Sequence, residues 1–118
     1  MGQPVVHFEI MGKDTNKLKS FYSDLFGWKI GETMGPELGH YALIDAESSG
    51  LAGGIGQDPQ GGVRTTFYVS VPDPKATLDQ ATAKGGKIVM EPTEIPGANT
   101  TLAMFTDPDG NLVGLTKA

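Results

Sequence analysis

The 118-residue sequence contains no cysteine. This absence excludes disulfide scaffolds, thiolate zinc sites, iron–sulfur clusters and cysteine nucleophiles. Basic residues are also few, because 9 Lys and Arg stand against 14 Asp and Glu and give a formal net charge of −5. An excess of carboxylates repels phosphate backbones and anionic lipid, so we expect neither nucleic acid nor a membrane surface as a partner.

Long apolar runs are missing too. No stretch approaches the roughly 20 apolar residues that cross a bilayer. The opening segment, Met1-Gly2-Gln3-Pro4, lacks the basic and apolar regions of a signal peptide. We therefore expect a soluble, cytoplasmic protein. A chain of this length buries roughly two-thirds of its unfolded surface, which is enough for one domain without metal or disulfide support.

Glycine and proline are abundant, with 17 and 8 residues. Such a composition favours many short elements joined by tight turns over a helical bundle. The alternating segment Val5–Ile10 predicts a strand, and Asp14 can cap a helix over about residues 15–26 that Gly27 ends. Three further strands are predicted in this half of the chain: Trp28–Ile30, His40–Asp45 and Leu51–Gly56.

The second half repeats this order. Thr65–Val71 alternates like the first strand, and Asp73-Pro74 is a strong start for a helix over about residues 74–84. Gly85-Gly86 ends that helix. Three strands are then predicted over residues 87–90, 100–106 and 112–116. Asp107–Asn111, between the last two, is a hairpin turn, since proline sets φ and glycine accepts φ > 0.

The element order β-α-β-β-β therefore occurs twice. Phe8 corresponds to Phe67 and Ile10 to Val69. An accidental α+β repeat, as in ferredoxin-like domains, is the alternative, but three strands after each helix favour duplication. We predict one α+β domain over residues 1–118, with module one at about 4–57, a linker at about 58–62 and module two at about 63–118.

Three segments together resemble the vicinal oxygen chelate superfamily, which holds glyoxalase I, bleomycin-resistance proteins, fosfomycin-resistance enzymes and extradiol dioxygenases. They are Val5–Ile10, the helix end Phe21–Trp28 and the turn Asp107–Asn111. The likeness spans nearly the whole chain and is greatest to small predicted enzymes related to lactoylglutathione lyase. It implies that each module curls its sheet into half of a cup, and that the paired modules enclose a small-molecule pocket. Because members share a scaffold and differ in chemistry, function has to be argued at the site.

The resemblance also implies where a metal would be bound, since metal-using members take ligands from the first and last strands of each module. These positions fall on His7, on Thr66, on Gly114 and within residues 53–56, which are Gly-Gly-Ile-Gly. Glycine offers no ligating side chain and a threonine hydroxyl is a weak ligand, whereas a catalytic metal needs about three protein ligands. The resemblance therefore implies no cofactor by the usual route, although a divalent metal held partly by His7 stays open. Glycines at these positions are expected to leave space beside His7.

His7 and Glu9 are the candidate catalytic residues. Two apart on a strand, they point to one face, so Glu9 could orient His7 as a general base or both could bind metal, and His40 could approach them. The simpler interpretation is that His7 is a hydrogen-bonded pocket residue, that Glu9 is solvated or paired with a basic group such as Arg64, and that His40 lies on the surface. The residues leave both interpretations open.

The other residues expected to line the pocket combine aromatic or apolar walls with a few polar groups, which suits a small organic ligand. The candidate ligand-binding residues are Trp28, Tyr41, Arg64, Thr66, Tyr68, Leu112 and Gly114. For Trp28, core packing is the alternative.

Two functions follow as expectations. The first is a glyoxalase-like protein that binds a small organic molecule between its modules without the full metal site. The second is a lyase, isomerase or dioxygenase-type enzyme that acts on a small carbonyl or hydroxylated compound, using His7 and Glu9 with a non-standard metal site. The resemblance further implies a homodimer.

Overall fold

The computed structural model describes residues 2–95 and 99–118. Met1, the first residue of the predicted domain, lies outside the described residues. The chain has a mixed α+β fold in which the predicted order β-α-β-β-β is found in the second half, whereas the first half has two strands after its first helix and a short helix between them. The elements are β1 (Val5–Gly12), α1 (Thr15–Phe26), a 3-10 turn (Pro36–Leu38), β2 (Ala42–Ile44), α2 (Ala46–Ser49), β3 (Gly53–Gln57), β4 (Arg64–Val71), α3 (Pro74–Ala83), β5 (Lys87–Ile95), β6 (Thr100–Thr106) and β7 (Leu112–Lys117).

Backbone contacts divide the chain into two compact units. The first unit is His7–Thr66, and the second comprises residues 2–6 with Phe67–Ala118. The predicted domain and module boundaries stay predictions. No helix among the described residues is both long and apolar enough to cross a membrane.

In the first unit, the strand order is β2-β3-β1. β3 is antiparallel to β2 and parallel to β1, where Phe8 is paired with Gly53 and Glu9 with Gly54. Helix α1 connects β1 to the rest of the unit. The Asp14 side chain accepts a hydrogen bond from the Lys17 amide at its start, and Gly27 ends it with φ 72°, as predicted.

Strand β4 begins in the first unit with residues 64–66 and continues in the second unit, where the strand order is β4-β7-β6-β5. β7 is parallel to β4, with Tyr68 paired to Gly114, and antiparallel to β6. Helix α3 begins at the predicted Asp73 cap and buries Leu78 completely. The apolar core of the unit consists of Val71, Leu78, Ala103 and Leu115, with Val69, Ile88 and Phe105 packed against it.

Both units therefore pair their first strand in parallel with their last. The first unit departs from the prediction after α1, since Trp28–Ile30 is not a strand and only Ile30 forms a bridge, to Ile44. The following strand is also shorter than predicted, because Gly39 and His40 both have positive φ, 71° and 49°, and cannot extend it. Conversely, β5 continues to Ile95 through irregularities in its pairing with β6.

Candidate functional site

Three polar side chains of the first unit form a continuous chain of hydrogen bonds. His7 and Glu9 share a face of β1 because strand side chains alternate, and Tyr41 lies between them from the segment before β2. The Tyr41 hydroxyl donates to Glu9 Oε2 at 3.0 Å and lies 3.0 Å from His7 Nε2. The hydroxyl has one proton and donates it to the carboxylate, so it must accept from the imidazole. His7 is therefore protonated at Nε2, which leaves Nδ1 as the nitrogen that takes up a further proton.

Glu9 continues this chain to a cation on β4. Arg64 Nη2 lies 3.8 Å from Glu9 Oε1, and Arg64 Nη1 lies 3.4 Å from Asp58 Oδ2. Glu9 is only 8% exposed, so it is paired and not solvated. The pairing with Arg64 that the simpler interpretation allowed is present. We refer below to His7, Tyr41, Glu9, Arg64 and Asp58 as the polar chain.

Asp58 is the one member of the polar chain that was not predicted as a site residue, because the composition of residues 58–62 indicated only a linker. Its side chain accepts from the Gln60 amide, and its carbonyl accepts from the Gly61 amide, so it begins a tight turn. That turn brings the chain back toward Arg64. Opposite charges at the two ends of a glycine-rich turn are the signal that could have identified the pair.

Burial lowers the pKa of His7 below its usual value of 6.5, and the nearby Glu9 charge only partly offsets this effect. The imidazole is therefore neutral at pH 7. A neutral imidazole fits the hydrogen-bond order derived above, because one ring nitrogen carries a proton and the other can accept one.

Two buried polar atoms beside the polar chain meet no hydrogen-bond partner among the described residues: Arg64 Nε and Thr66 Oγ1. Both belong to β4 and lie on one face of it, because the two residues are two apart. Thr66 is only 5% exposed. An unpaired buried donor or acceptor costs about 1–3 kcal/mol, so most such atoms in folded proteins have a partner.

The glycines at the implied ligand positions do not leave open space, and that expectation is wrong. In the sheet, Gly54 of β3 is paired with Glu9 of β1, and Gly114 of β7 is paired with Tyr68 of β4. A Cβ on Gly54 would collide with the Tyr41 ring and hydroxyl, and a Cβ on Gly114 would collide with the Tyr68 ring. In each unit, a tyrosine ring fills the volume that a side chain on the last strand would need.

These residues do not fit the metal site that the fold implies. Of the implied positions, His7 alone has a good metal ligand, and the last-strand positions in both units lie beneath tyrosine rings. Within the described ranges, no group of three or more His, Cys, Asp or Glu side chains could hold a metal ion. We derive no chemical step through a metal.

The remaining predicted ligand-binding residues lie elsewhere. Trp28 packs against Phe8, Tyr22 and Phe26, with ring centroids 5.2–5.6 Å apart. Phe8 is on the face of β1 opposite His7, so Trp28 belongs to the helix side of the sheet. Tyr68, Leu112 and Gly114 belong to the second unit, where β7 begins at Leu112. Their assignment as ligand-binding residues stays a prediction.

A cleft of about 520 Å³ opens in the first unit at the end of β1. It is lined by β1 and its following loop, by the first turns of α1, and by Val63, Arg64 and Thr65. Arg64 is the member of the polar chain that borders it. Lys13 and Lys17 line it as well, and both side chains are exposed.

Residues 5–115 match the family model described as the Glyoxalase/Bleomycin resistance protein/Dioxygenase superfamily. The chain belongs to this superfamily. Its membership confirms the resemblance to vicinal oxygen chelate proteins and the α+β fold class.

Several relatives have informative names. A "Glyoxylase-like domain-containing protein" from Didymella fabae is 29% identical over 113 residues, which cover 87% of this chain and 84% of that protein. The "Anthracycline biosynthesis protein DnrV" from Streptomyces peucetius is 25% identical over 118 residues, covering 87% of this chain and 42% of that protein. The chain therefore spans less than half of the Streptomyces relative.

Solved structures share the fold. Methylmalonyl-CoA epimerase from Mycobacterium tuberculosis superposes with a TM-score of 0.68 at 20% identity, over 96% of this chain and 86% of that one. A hypothetical protein from Bacillus halodurans superposes with a TM-score of 0.72 at 14% identity, over 100% of this chain and 96% of that one. At these identities the likeness establishes the fold but not the chemistry, which has to be argued from the residues of the site.

Gly54→Ala tests the contact between Gly54 and Tyr41. The added methyl has no room beneath the ring, so the free energy of unfolding should fall by about 1–3 kcal/mol in urea denaturation. In a Tyr41→Ala background, the same substitution should cost much less, because the ring is gone. Gly31→Ala is the matched control, since its Cβ would meet only Leu43 O at 3.7 Å. An equal cost in both backgrounds would contradict the contact.

The lowered pKa of His7 predicts a pH dependence of stability. Below pH 6.5 the unfolded chain binds a proton at His7 before the native state does, so the free energy of unfolding should fall as pH decreases from 8 to 5.5. His7→Gln should flatten this dependence by removing that proton uptake. His40→Gln removes the other imidazole and should leave the dependence in place. A wild-type curve that rises toward low pH would refute the prediction.

Proposed function

We propose that this protein binds a small organic molecule at the polar chain of the first unit, without the metal site of its metal-using relatives. The observation that carries this proposal is the pair of unpartnered buried atoms, Arg64 Nε and Thr66 Oγ1, on the strand that also supplies the Arg64 contact to Glu9. A ligand that hydrogen-bonds these atoms would remove the cost of leaving them unpaired. Membership of a superfamily whose solved structures include complexes with small molecules, such as methylmalonyl-CoA, adds support.

Tyr41 is central to the proposal because its hydroxyl joins the imidazole to the carboxylate. Removing it would leave His7 and Glu9 without the group that joins them. Small-molecule sites work best when such groups are held in place before the ligand arrives. We also propose that the protein forms the homodimer that the resemblance implies. All residues of the polar chain belong to the first unit of one chain, so each copy would carry its own polar chain.

Tyr41→Phe tests the site directly. A fragment collection would be titrated into ¹⁵N-labelled wild-type protein, and the amide shifts should concentrate at residues of β1 and β4 near Glu9 and Thr66. In Tyr41→Phe, the affinity for the same fragments should fall about five- to tenfold, which corresponds to the loss of a hydrogen bond of about 1 kcal/mol. Tyr22→Phe, which removes a hydroxyl from the aromatic cluster, should not change it. Shifts scattered over both units, or equal affinities in all three proteins, would contradict the proposal.

An enzyme that acts on a small carbonyl or hydroxylated compound is the second candidate. It is favoured by the order of protons in the polar chain, since a neutral His7 with a basic Nδ1 and a fixed Nε2–H is suited to general base catalysis. The titration separates the two functions. A binding protein returns each fragment unchanged, whereas an enzyme converts it in wild type and not in His7→Gln.

Metal addition provides an independent test of the form of the site. The melting temperature would be measured with and without Zn²⁺, Ni²⁺, Mn²⁺ and Fe²⁺. We expect no rise that depends on His7, although a metal at one hundred times its Kd would stabilise the native state by about 2.7 kcal/mol. A rise in wild type that is lost in His7→Ala would instead favour the enzyme with a non-standard metal site.

A further inference from the structure

We propose that the ligand of the polar chain presents a neutral oxygen acceptor, such as a carbonyl or hydroxyl, and carries no negative charge. This inference rests on the proposed function and names the chemical class that the site would take. It follows from the charge of the polar chain and from which of its donors are already used.

The charge of the polar chain is negative. It contains the Glu9 and Asp58 carboxylates and one guanidinium, Arg64, so the two negative charges and one positive charge sum to −1. The Glu9 side chain is 10% exposed and the Asp58 side chain 19%, so water screens neither charge fully. An anionic ligand would therefore meet net repulsion.

The guanidinium that would attract an anion lies between two carboxylates of the protein. Arginine binds carboxylates and phosphates through paired N–H groups at its edge. Here Nη1 faces Asp58 and Nη2 faces Glu9, so both terminal nitrogens already have anionic partners. An anionic ligand bound to Arg64 would therefore lie close to a carboxylate of the protein, which opposes its binding.

The atoms that remain are suited to a neutral acceptor. Arg64 Nε–H can only donate, and the Thr66 hydroxyl can donate as well. Two residues apart on β4, their Cα atoms are about 7 Å from each other, which a small molecule spans. A carbonyl or hydroxyl oxygen accepts from such donors without adding charge.

Three probes of nearly equal shape separate the possible classes. Benzamide offers a neutral carbonyl oxygen, benzoate an anionic carboxylate and benzamidine a cation with donors only. Each would be titrated into ¹⁵N-labelled protein while the Thr66 and Glu9 amides are followed. We expect benzamide to bind at least about tenfold more tightly than benzoate, because the net negative charge of the polar chain repels the benzoate carboxylate. Benzamidine should bind more weakly than benzamide, because it has no acceptor.

Two pairs of variants connect this preference to its cause. Thr66→Val removes the hydroxyl at constant shape and should weaken benzamide binding several-fold. Thr15→Val, its control, removes a second buried unpartnered hydroxyl, on α1, and should leave benzamide binding unchanged. Glu9→Gln and Asp58→Asn each make the polar chain neutral and should narrow the difference between benzamide and benzoate. Glu94→Gln, an exposed carboxylate on β5, should not narrow it.

The outcomes distinguish this inference from the proposed function. Benzoate or benzamidine binding as tightly as benzamide at the Thr66 amide would overturn the inference and leave the site itself in place. Benzoate shifts confined to the loop at Lys13 and Lys17, with no benzamide effect at Thr66, would also overturn it, because the cleft lysines would then be the ligand's partners. No shift at Thr66 with any probe would overturn the proposed function itself. If Glu9→Gln fails to fold, Asp58→Asn tests the same charge.

Discussion

Burial of the Glu9 carboxylate is the constraint on which the first unit depends. A buried charge needs both a counter-charge and hydrogen bonds, and Glu9 obtains them from Arg64 and from the Tyr41 hydroxyl. The same two contacts orient the site. They hold the guanidinium between two carboxylates, and they direct the Tyr41 proton away from His7, which fixes the imidazole as a donor at Nε2.

The pairing of tyrosine with glycine is the second organising feature. In each unit, a glycine on the last strand lies beneath a tyrosine ring, Gly54 beneath Tyr41 and Gly114 beneath Tyr68. Glycine is needed there for space, not for an unusual backbone angle. The superfamily's scaffold is kept, while tyrosine rings cover the last-strand glycines at which the resemblance implies metal ligands.

Local signals in the sequence predicted much of the fold. The caps at Asp14 and Asp73 and the glycine end at Gly27 act within one helical turn, so their residue types suffice to identify them. Trp28–Ile30 was misjudged because its extended pattern reflects packing of Trp28 in an aromatic cluster. Within the site, alternation in β1 correctly grouped His7 with Glu9. The Tyr41 contacts could not be predicted, because they join residues 32 and 34 positions apart.

The Tyr41–Gly54 contact also restricts how this chain could change over time. A carboxylate introduced at position 54 by a single substitution would meet the ring before it could serve as a ligand. A smaller residue introduced first at position 41 would take away the hydroxyl on which Glu9 depends. Either order passes through a compromised intermediate, so a ligating side chain at position 54 requires coordinated replacements at positions 41 and 54.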